Sequence, residues 1–379
     1  MSKFDSIRPF YDSEVNEALK SLLHHPMMKA MMDFTFPGVE EEVWKEQLSR
    51  THSIRDFQIN FVYQSIQRVL ERSSEGLSTS GFEKLNPNTS YLFISNHRDI
   101  ILDTSLLNVS LYDHKLIMTA SAIGDNLVQK DFLLKLSKLN RNFLVQRGLS
   151  PRELLQSSKL MSEYMYHLLS KENRSVWIAQ REGRTKDGND STHQGVLKML
   201  GMASDEGKVM DFFKKLKIVP VSISYEYDPT DALKMPQLLA LSKDEVYIKE
   251  KNEDFITLLS GIIGQKKRIH IHVGDVLDGE FEKIIAETEN NNKQIQALAQ
   301  VIDDSILQTY KLWPTNFIAY DILYNTTKFE HLYDEKERQL FERRLEMRID
   351  ADNETMREGF LAMYANPVVN KLKYTNDIS

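Results

Sequence analysis

The chain has 379 residues, a formal charge of −7 and no cysteine. That length holds one large domain or a core domain with helical additions; the missing thiols exclude disulfides, thiolate metal sites and thiol nucleophiles, and the acidic balance argues against bulk nucleic-acid binding. No apolar run approaches the roughly 18 residues that span a bilayer, and Met1-Ser2-Lys3-Phe4-Asp5 carries no apolar signal region, so a cytoplasmic protein able to touch a membrane surface is expected.

Residues 1 to about 80 read as helical. Asp12 and Ser13 are cap candidates for a helix over 15–23, where Val15, Ala18, Leu19, Leu22 and Leu23 recur at helical spacing. Phe57, Phe61, Ile66, Val69 and Leu70 mark a second long helix. Between them lie Met27, Met28, Met31 and Met32, with Phe34 and Phe36 nearby. These residues suit helix–helix packing, the favoured reading, or an adaptable apolar surface for acyl chains or a membrane. From residue 90 onward, short apolar runs at 91–95, 116–120, 143–146, 176–179, 218–224 and 269–273 alternate with helical patterns. Such alternation reads as an α/β sheet covered by helices, with functional residues at strand ends. Residues 229–262 read as a helical insertion, 287–292 as a polar loop, and 293–312 and 327–347 as charge-rich helices.

Four segments at strand ends carry chemistry. The first is Asn96-His97-Arg98-Asp99-Ile100-Ile101-Leu102-Asp103. A carboxylate bound to one ring nitrogen of a His fixes the tautomer and leaves the other nitrogen free to take a proton. A wholly helical stretch would splay His97 and Asp103 apart. The pair therefore requires His97 in a loop, with a helix starting one or two residues later. Asp99 then suits an N-cap and Asp103 the first turns; which of the two meets His97 stays open. The second segment, Asn142-Phe143-Leu144-Val145-Gln146-Arg147-Gly148, ends a strand in an Arg whose planar fork suits a phosphate. Upstream, Lys130, Lys135, Lys138 and Arg141 read as a solvated face. In the third, Arg181-Glu182-Gly183-Arg184-Thr185-Lys186, Arg184 and Lys186 can hold a phosphate, and Glu182 can position the acceptor or orient Arg147. The fourth, Ile218-Val219-Pro220-Val221, is a buried strand with Pro220 near its start, a candidate wall for an acyl pocket. His270 and His272 alternate on the last strand and read as buried or edge histidines in preference to a metal pair.

Taken in order, these segments resemble the motifs of the glycerolipid acyltransferase family, whose members acylate glycerol 3-phosphate, dihydroxyacetone phosphate or lysophosphatidate. Asn96-His97-Arg98 through Asp103 is similar to the first motif and Phe143 through Arg147 to the second. Arg181-Glu182-Gly183-Arg184-Thr185 is similar to the third, and Ile218-Val219-Pro220 to the fourth. Two departures stand out. Five residues, Arg98 to Leu102, separate His97 from Asp103 where four are usual, and Arg181 stands where the third motif usually carries Pro.

The resemblance implies an α/β fold, a mixed, mostly parallel sheet flanked by helices over residues 83–285, with helical additions at 1–82 and 286–379. It implies an O-acyltransferase of phospholipid biosynthesis that moves a fatty acyl group from acyl-CoA or acyl-carrier protein to a glycerol-3-phosphate-type hydroxyl. His97 would be the general base and Asp103 its orienting partner. Arg147, Arg184 and Arg98 would meet the acceptor phosphate, with Glu182, Gly183 and Pro220 completing the substrate site. Backbone N–H groups at the start of the following helix would stabilise the oxyanion. No metal, bound cofactor or nucleic acid is implied, and a peripheral contact at the inner face of the cell membrane is expected. Asn96-His97-Arg98 and the stretch Pro220-Val221-Ser222-Ile223-Ser224-Tyr225-Glu226 lean toward the glycerol-3-phosphate branch. The alternatives are a lysophosphatidate or other lysolipid acyltransferase and, in another class, a non-catalytic lipid or acyl-thioester binding protein. The C-terminal helices, including Leu312-Trp313-Pro314, read as a cover for the sheet or an oligomer contact.

Overall fold

The computed structural model describes residues 2–205, 208–350 and 352–375. In its N-terminal part, apolar residues at helical spacing meet one another. Val15, Leu19, Met28, Met32, Trp44, Leu48, Phe57 and Phe61 form one buried cluster. The cluster is shared by the helices Asp12–Leu22, Pro26–Thr35 and Glu41–Ser49 and a long helical run from Ile54 to Ser73. Met27 and Met31 pack against it as well. The Met-rich segment is therefore core, and its alternative reading as an acyl or membrane surface does not hold. Asp12 is not a cap but the first helical residue, and its carboxylate accepts the backbone N–H of Ile54 at 2.9 Å.

The helical reading of residues 1 to about 80 fails at its end. Ser74–Ser80 forms a strand, β1. Its sequence, Ser-Glu-Gly-Leu-Ser-Thr-Ser, has no helical apolar period and can pair along an existing edge. The other strands are β2 (Leu92–Ser95), β3 (Thr119–Gly124), β4 (Asn142–Val145), β5 (Ser175–Ala179), β6 (Ile218–Tyr225) and β7 (Lys267–Val273). They form a seven-stranded sheet in the order β1-β7-β6-β2-β5-β3-β4. The β6–β7 pair is antiparallel and the other pairs are parallel. This is the expected mixed, mostly parallel sheet. Side chains alternate across it. Leu92, Ile94, Val176, Ile178 and Ile218 join one core with Phe143, Met165, Phe213, Phe281 and Ile302. Phe93, Trp177, Val219, Val221, Ile223 and Tyr225 face the other way, against Leu102, Leu106 and Leu107. The carboxyl ends of β2 to β6 gather on one side, where ligands bind in such sheets.

The insertion after β6 forms the helices Asp231–Ser242 and Glu253–Ile263. The polar stretch expected as a loop at 287–292 contributes Asn290, whose side chain caps the helix Asn291–Thr309. Further helices, Pro314–Tyr324, Glu335–Arg348 and Glu354–Lys371, share a core of Ile318, Phe341, Leu345, Phe360 and Tyr364. Among the described residues, no helix is long and apolar enough to cross a membrane.

These last helices dock on the loops at the carboxyl end of the sheet. Arg344 Nε donates to Asp231 Oδ2 at 2.7 Å, and Tyr364 OH donates to the same oxygen at 2.9 Å. Asn366 Nδ2 donates to the Asp187 carbonyl at 2.6 Å. Gly188 has φ +76°, and a Cβ there would lie 2.2 Å from the Met363 carbonyl oxygen. Gly188→Ala is therefore expected to cost about 1–3 kcal/mol, from left-handed backbone strain and the clash. Chemical denaturation measures this; an unchanged midpoint would mean the helix Glu354–Lys371 does not press on that loop.

Candidate active site

His97 sits in a loop, as the pairing requires, but the loop is longer than expected. The helix after it spans Leu102–Asp113, so it begins five residues beyond His97. Asp99 folds back within the loop, and its Oδ1 accepts the backbone N–H groups of Ile101 at 2.9 Å and Leu102 at 2.8 Å. Burial, and then the charge of Asp103, hold the Asp99 carboxyl above its ordinary pKa.

Asp103, in the first turn, is the carboxylate that meets His97. Its Oδ2 lies 2.8 Å from His97 Nδ1 and also accepts the N–H groups of Arg98 at 2.7 Å and Asp99 at 3.0 Å. Its Oδ1 accepts Tyr225 OH at 2.8 Å. An ionised carboxylate only accepts, so the Nδ1 contact places a proton on that nitrogen and leaves Nε2 as the acceptor. The two carboxylates take the N–H groups of Arg98, Asp99, Ile101 and Leu102. These four backbone donors are thus already bound, which follows from the loop closing on its own carboxylates.

The loop is fixed from the neighbouring strands. Asn96 exchanges two hydrogen bonds with the backbone of Ile223, at 2.9 and 2.8 Å, tying the end of β2 to β6. The Trp177 ring on β5 stands edge-on to His97 at 5.5 Å, and its Nε1 donates to Ser95 Oγ at 2.9 Å. The His97 carbonyl accepts Thr185 N–H at 2.9 Å, which joins the first segment to the third.

Arg98 does not go where the sequence placed it. Its guanidinium is buried and held by Asp190 at 2.5 Å, with the Tyr310 ring 5.5 Å away. Asp190 also accepts Thr185 Oγ1 at 2.7 Å. Arg98 therefore clamps the third segment to the first and is not presented to an acceptor. Arg147 is half exposed at the end of β4, and its Nη1 donates to Glu182 Oε1 at 2.6 Å. Glu182 thus orients Arg147, one of the two roles expected for it. Gly183 lies in the same turn, with φ +71°. Arg184 is partly buried and reaches Thr230 Oγ1 at 3.4 Å. Lys186 gives its Nζ to the Arg184 carbonyl at 2.6 Å. Burial, followed by the charges of Arg184, Lys234, Arg181 and Lys249, brings its ammonium down to about 7. A cluster of cations that depresses one of its own members is a site suited to an anion.

Pro220 is the second correction. It is the third residue of β6, in register with Ile94 and outside the β6–β7 ladder, which begins at Val221. It alternates with Val221, Ile223 and Tyr225 and so points away from the His97 layer. Its role is in the strand, where its carbonyl accepts the Gly274 N–H at 2.9 Å just past the β7 ladder. The ring nitrogens of His270 and His272 lie 2.8–3.0 Å from the hydroxyls of Ser78 and Ser80. No group of three or more metal-ligating side chains occurs among the described residues. Sequence reasoning passed over Tyr225, Asp190 and Asn96, which hold the loop. Their signal was weak: a Tyr ending a buried strand, an Asn before the His, and an Asp in a polar turn.

The His–Asp pair lies at the end of the central strand, and the turn tied to it through Thr185 carries the cationic cluster. Residues 77–224 match the family model described as Acyltransferase. The chain is also similar to the crystal structure of the 1-acyl-sn-glycerophosphate (LPA) acyltransferase PlsC from Thermotoga maritima. The identity is 10%, the TM-score 0.38, and the match covers 79% of this chain and 99% of that one. No curated protein matches the chain.

Lys186 gives the site a pH signature. The ammonium is lowered from 10.5 to about 7, so between those values the unfolded chain binds the proton and the folded protein does not. Stability then rises with pH across that window, and the burden of the buried charge is complete below it. Lys186→Met is expected to raise the unfolding midpoint most at and below pH 7 and to flatten the rise toward pH 10.5. A variant with the parent's pH dependence would show that Lys186 titrates at its ordinary value.

Proposed function

We propose that this chain transfers a fatty acyl group from a thioester, acyl-CoA or acyl-carrier protein, to the hydroxyl of a glycerol-3-phosphate-type acceptor. The observation that carries the reading is the 2.8 Å contact between His97 Nδ1 and a fully buried Asp103. His97 Nε2 takes the proton of the acceptor hydroxyl as its oxygen attacks the thioester carbonyl. The new C–O bond forms, the C–S bond breaks, and the proton passes to the leaving thiolate. Asp103 stabilises the imidazolium between these steps. Arg147, oriented by Glu182, and the Arg184–Lys186 cluster receive the acceptor phosphate. The transfer uses no acyl-enzyme and no cofactor beyond the thioester. The intact pair at the longer spacing favours catalysis over mere binding of an acyl thioester.

The test is a transfer assay with labelled acyl-CoA and a panel of glycerol 3-phosphate, lysophosphatidate and other lysolipids. His97→Ala is expected to lower kcat by about 10²–10⁴, and Arg147→Ala to raise the acceptor KM about tenfold with a smaller change in kcat. Undiminished transfer by His97→Ala would sink the mechanism. An unchanged KM would remove Arg147 from the phosphate site.

We place the peripheral membrane contact on the insertion, in place of the buried Met-rich segment. Leu241, Val246, Ile248, Ile256, Leu259 and Ile263 are exposed there. The same insertion touches the site, because a Cβ on Gly261 would lie 2.2 Å from Asp99 Oδ2. Replacing Val246, Ile248 and Ile256 by Ser is expected to reduce co-sedimentation with phosphatidylcholine–phosphatidylglycerol vesicles; undiminished binding would rule this surface out.

A further inference from the structure

A cavity of about 680 Å³ lies at the β1 edge of the sheet, away from every residue assigned to acyl transfer. It is bounded by β1, the start of β7 and the segment after the helix Asn291–Thr309. Arg268, on its rim, alternates on β7 with Ile269, which packs in the cluster that holds Tyr225. The Arg268 side chain therefore faces away from the His97 layer.

The rim is cationic in a chain of net charge −7, with Arg268, Lys311 and Lys371 set against Glu75. Arg268 pairs with Glu226 and Glu337. Lys371 gives its Nζ to the Tyr310 carbonyl at 3.0 Å, and Lys311 stands 4.7 Å from the Trp313 ring centroid. Neither lysine makes an ion pair among the described residues. Burial holds the Lys371 ammonium below its ordinary pKa, as expected for a cation partly removed from water without a counter-charge. Trp313 is only 4% exposed and lies 5.2 Å from the Arg268 guanidinium. Its indole N–H has no hydrogen-bond partner among the described residues. An indole N–H can only donate, and buried donors are normally paired. Leu312, Phe317 and Leu332 supply an apolar wall beside these donors.

We propose that this cavity binds a single-chain amphiphile with an anionic head, either a long-chain carboxylate or a single-chain phosphate, at a site separate from acyl transfer. The head meets Lys311 and Lys371, and the tail lies along the apolar wall. An anion there supplies the counter-charge both lysines lack. The proposal does not depend on the acyl-transfer reading, since no residue is shared between the two sites.

Calorimetric titration of the full chain with laurate, dodecyl phosphate and the neutral dodecyl maltoside tests it. The parent is expected to bind at least one of the two anions and to bind the neutral amphiphile much more weakly. The ratio between the anions tells carboxylate from phosphate. Lys311→Gln combined with Lys371→Gln removes two charge-assisted contacts and is expected to weaken anion binding by roughly tenfold or more. The melting temperature of this variant verifies that it is folded, and heat that persists in it belongs to the catalytic site. Anion isotherms unchanged in the double-lysine variant, or equal binding of dodecyl maltoside, would overturn the proposal. A chain inactive in acyl transfer but retaining lysine-dependent binding would leave it standing.

Discussion

The buried carboxylate of Asp103 organises the site. It has no solvent contact and collects four donors: the His97 ring, two backbone N–H groups and the Tyr225 hydroxyl. A charge so far from water is stable only if each lone pair is met. Meeting them fixes three things together. The loop after β2 must curl around the carboxylate, His97 must present Nδ1 to it, and β6 must end where Tyr225 can reach it. Tyr225 remains a donor because burial, and then the charge of Asp103, drive its pKa well above the ordinary value.

The remaining parts of the site hang from that loop. The His97 carbonyl anchors Thr185, and Arg98 reaches Asp190 in the same turn. That turn carries Glu182, Arg184 and Lys186, so the proposed base and the cationic cluster share one support. The C-terminal helices close the support from outside, through Arg344 and Tyr364 on Asp231 and Asn366 on Asp187. Their sequence alone carried no chemistry. Their contribution is to hold loops in which like charges stand close together.

Much of the architecture was legible because its signals are local. Alternating apolar runs identify strands, and a His followed by acids at a strand end marks a candidate base. What misled was direction. Arg98 has the right chemistry for a phosphate, but Asp190, far away in sequence, claims it. Pro220 lies in the right strand, but its position along β6 points it to the other face. The backbone donors after His97 look free until Asp99 and Asp103 are seen to take them. β1 escaped because a Ser- and Gly-rich strand has little pattern of its own, and β7 makes it a strand by offering an edge.

By itself the sequence determined the alternation of strands and helices from residue 90 onward, the absence of thiol chemistry and the identity of the candidate base, since composition and short-range periodicity carry these. It left open which carboxylate serves His97. Asp99 and Asp103 are both within reach along the chain, and the choice depends on a strand more than a hundred residues away. Only the tertiary structure, by bringing Tyr225 to one oxygen of Asp103 while Asp99 turns to the N–H groups of Ile101 and Leu102, decided it. The physical reason is that a buried carboxylate goes where its donors are, and those donors are assembled by the sheet.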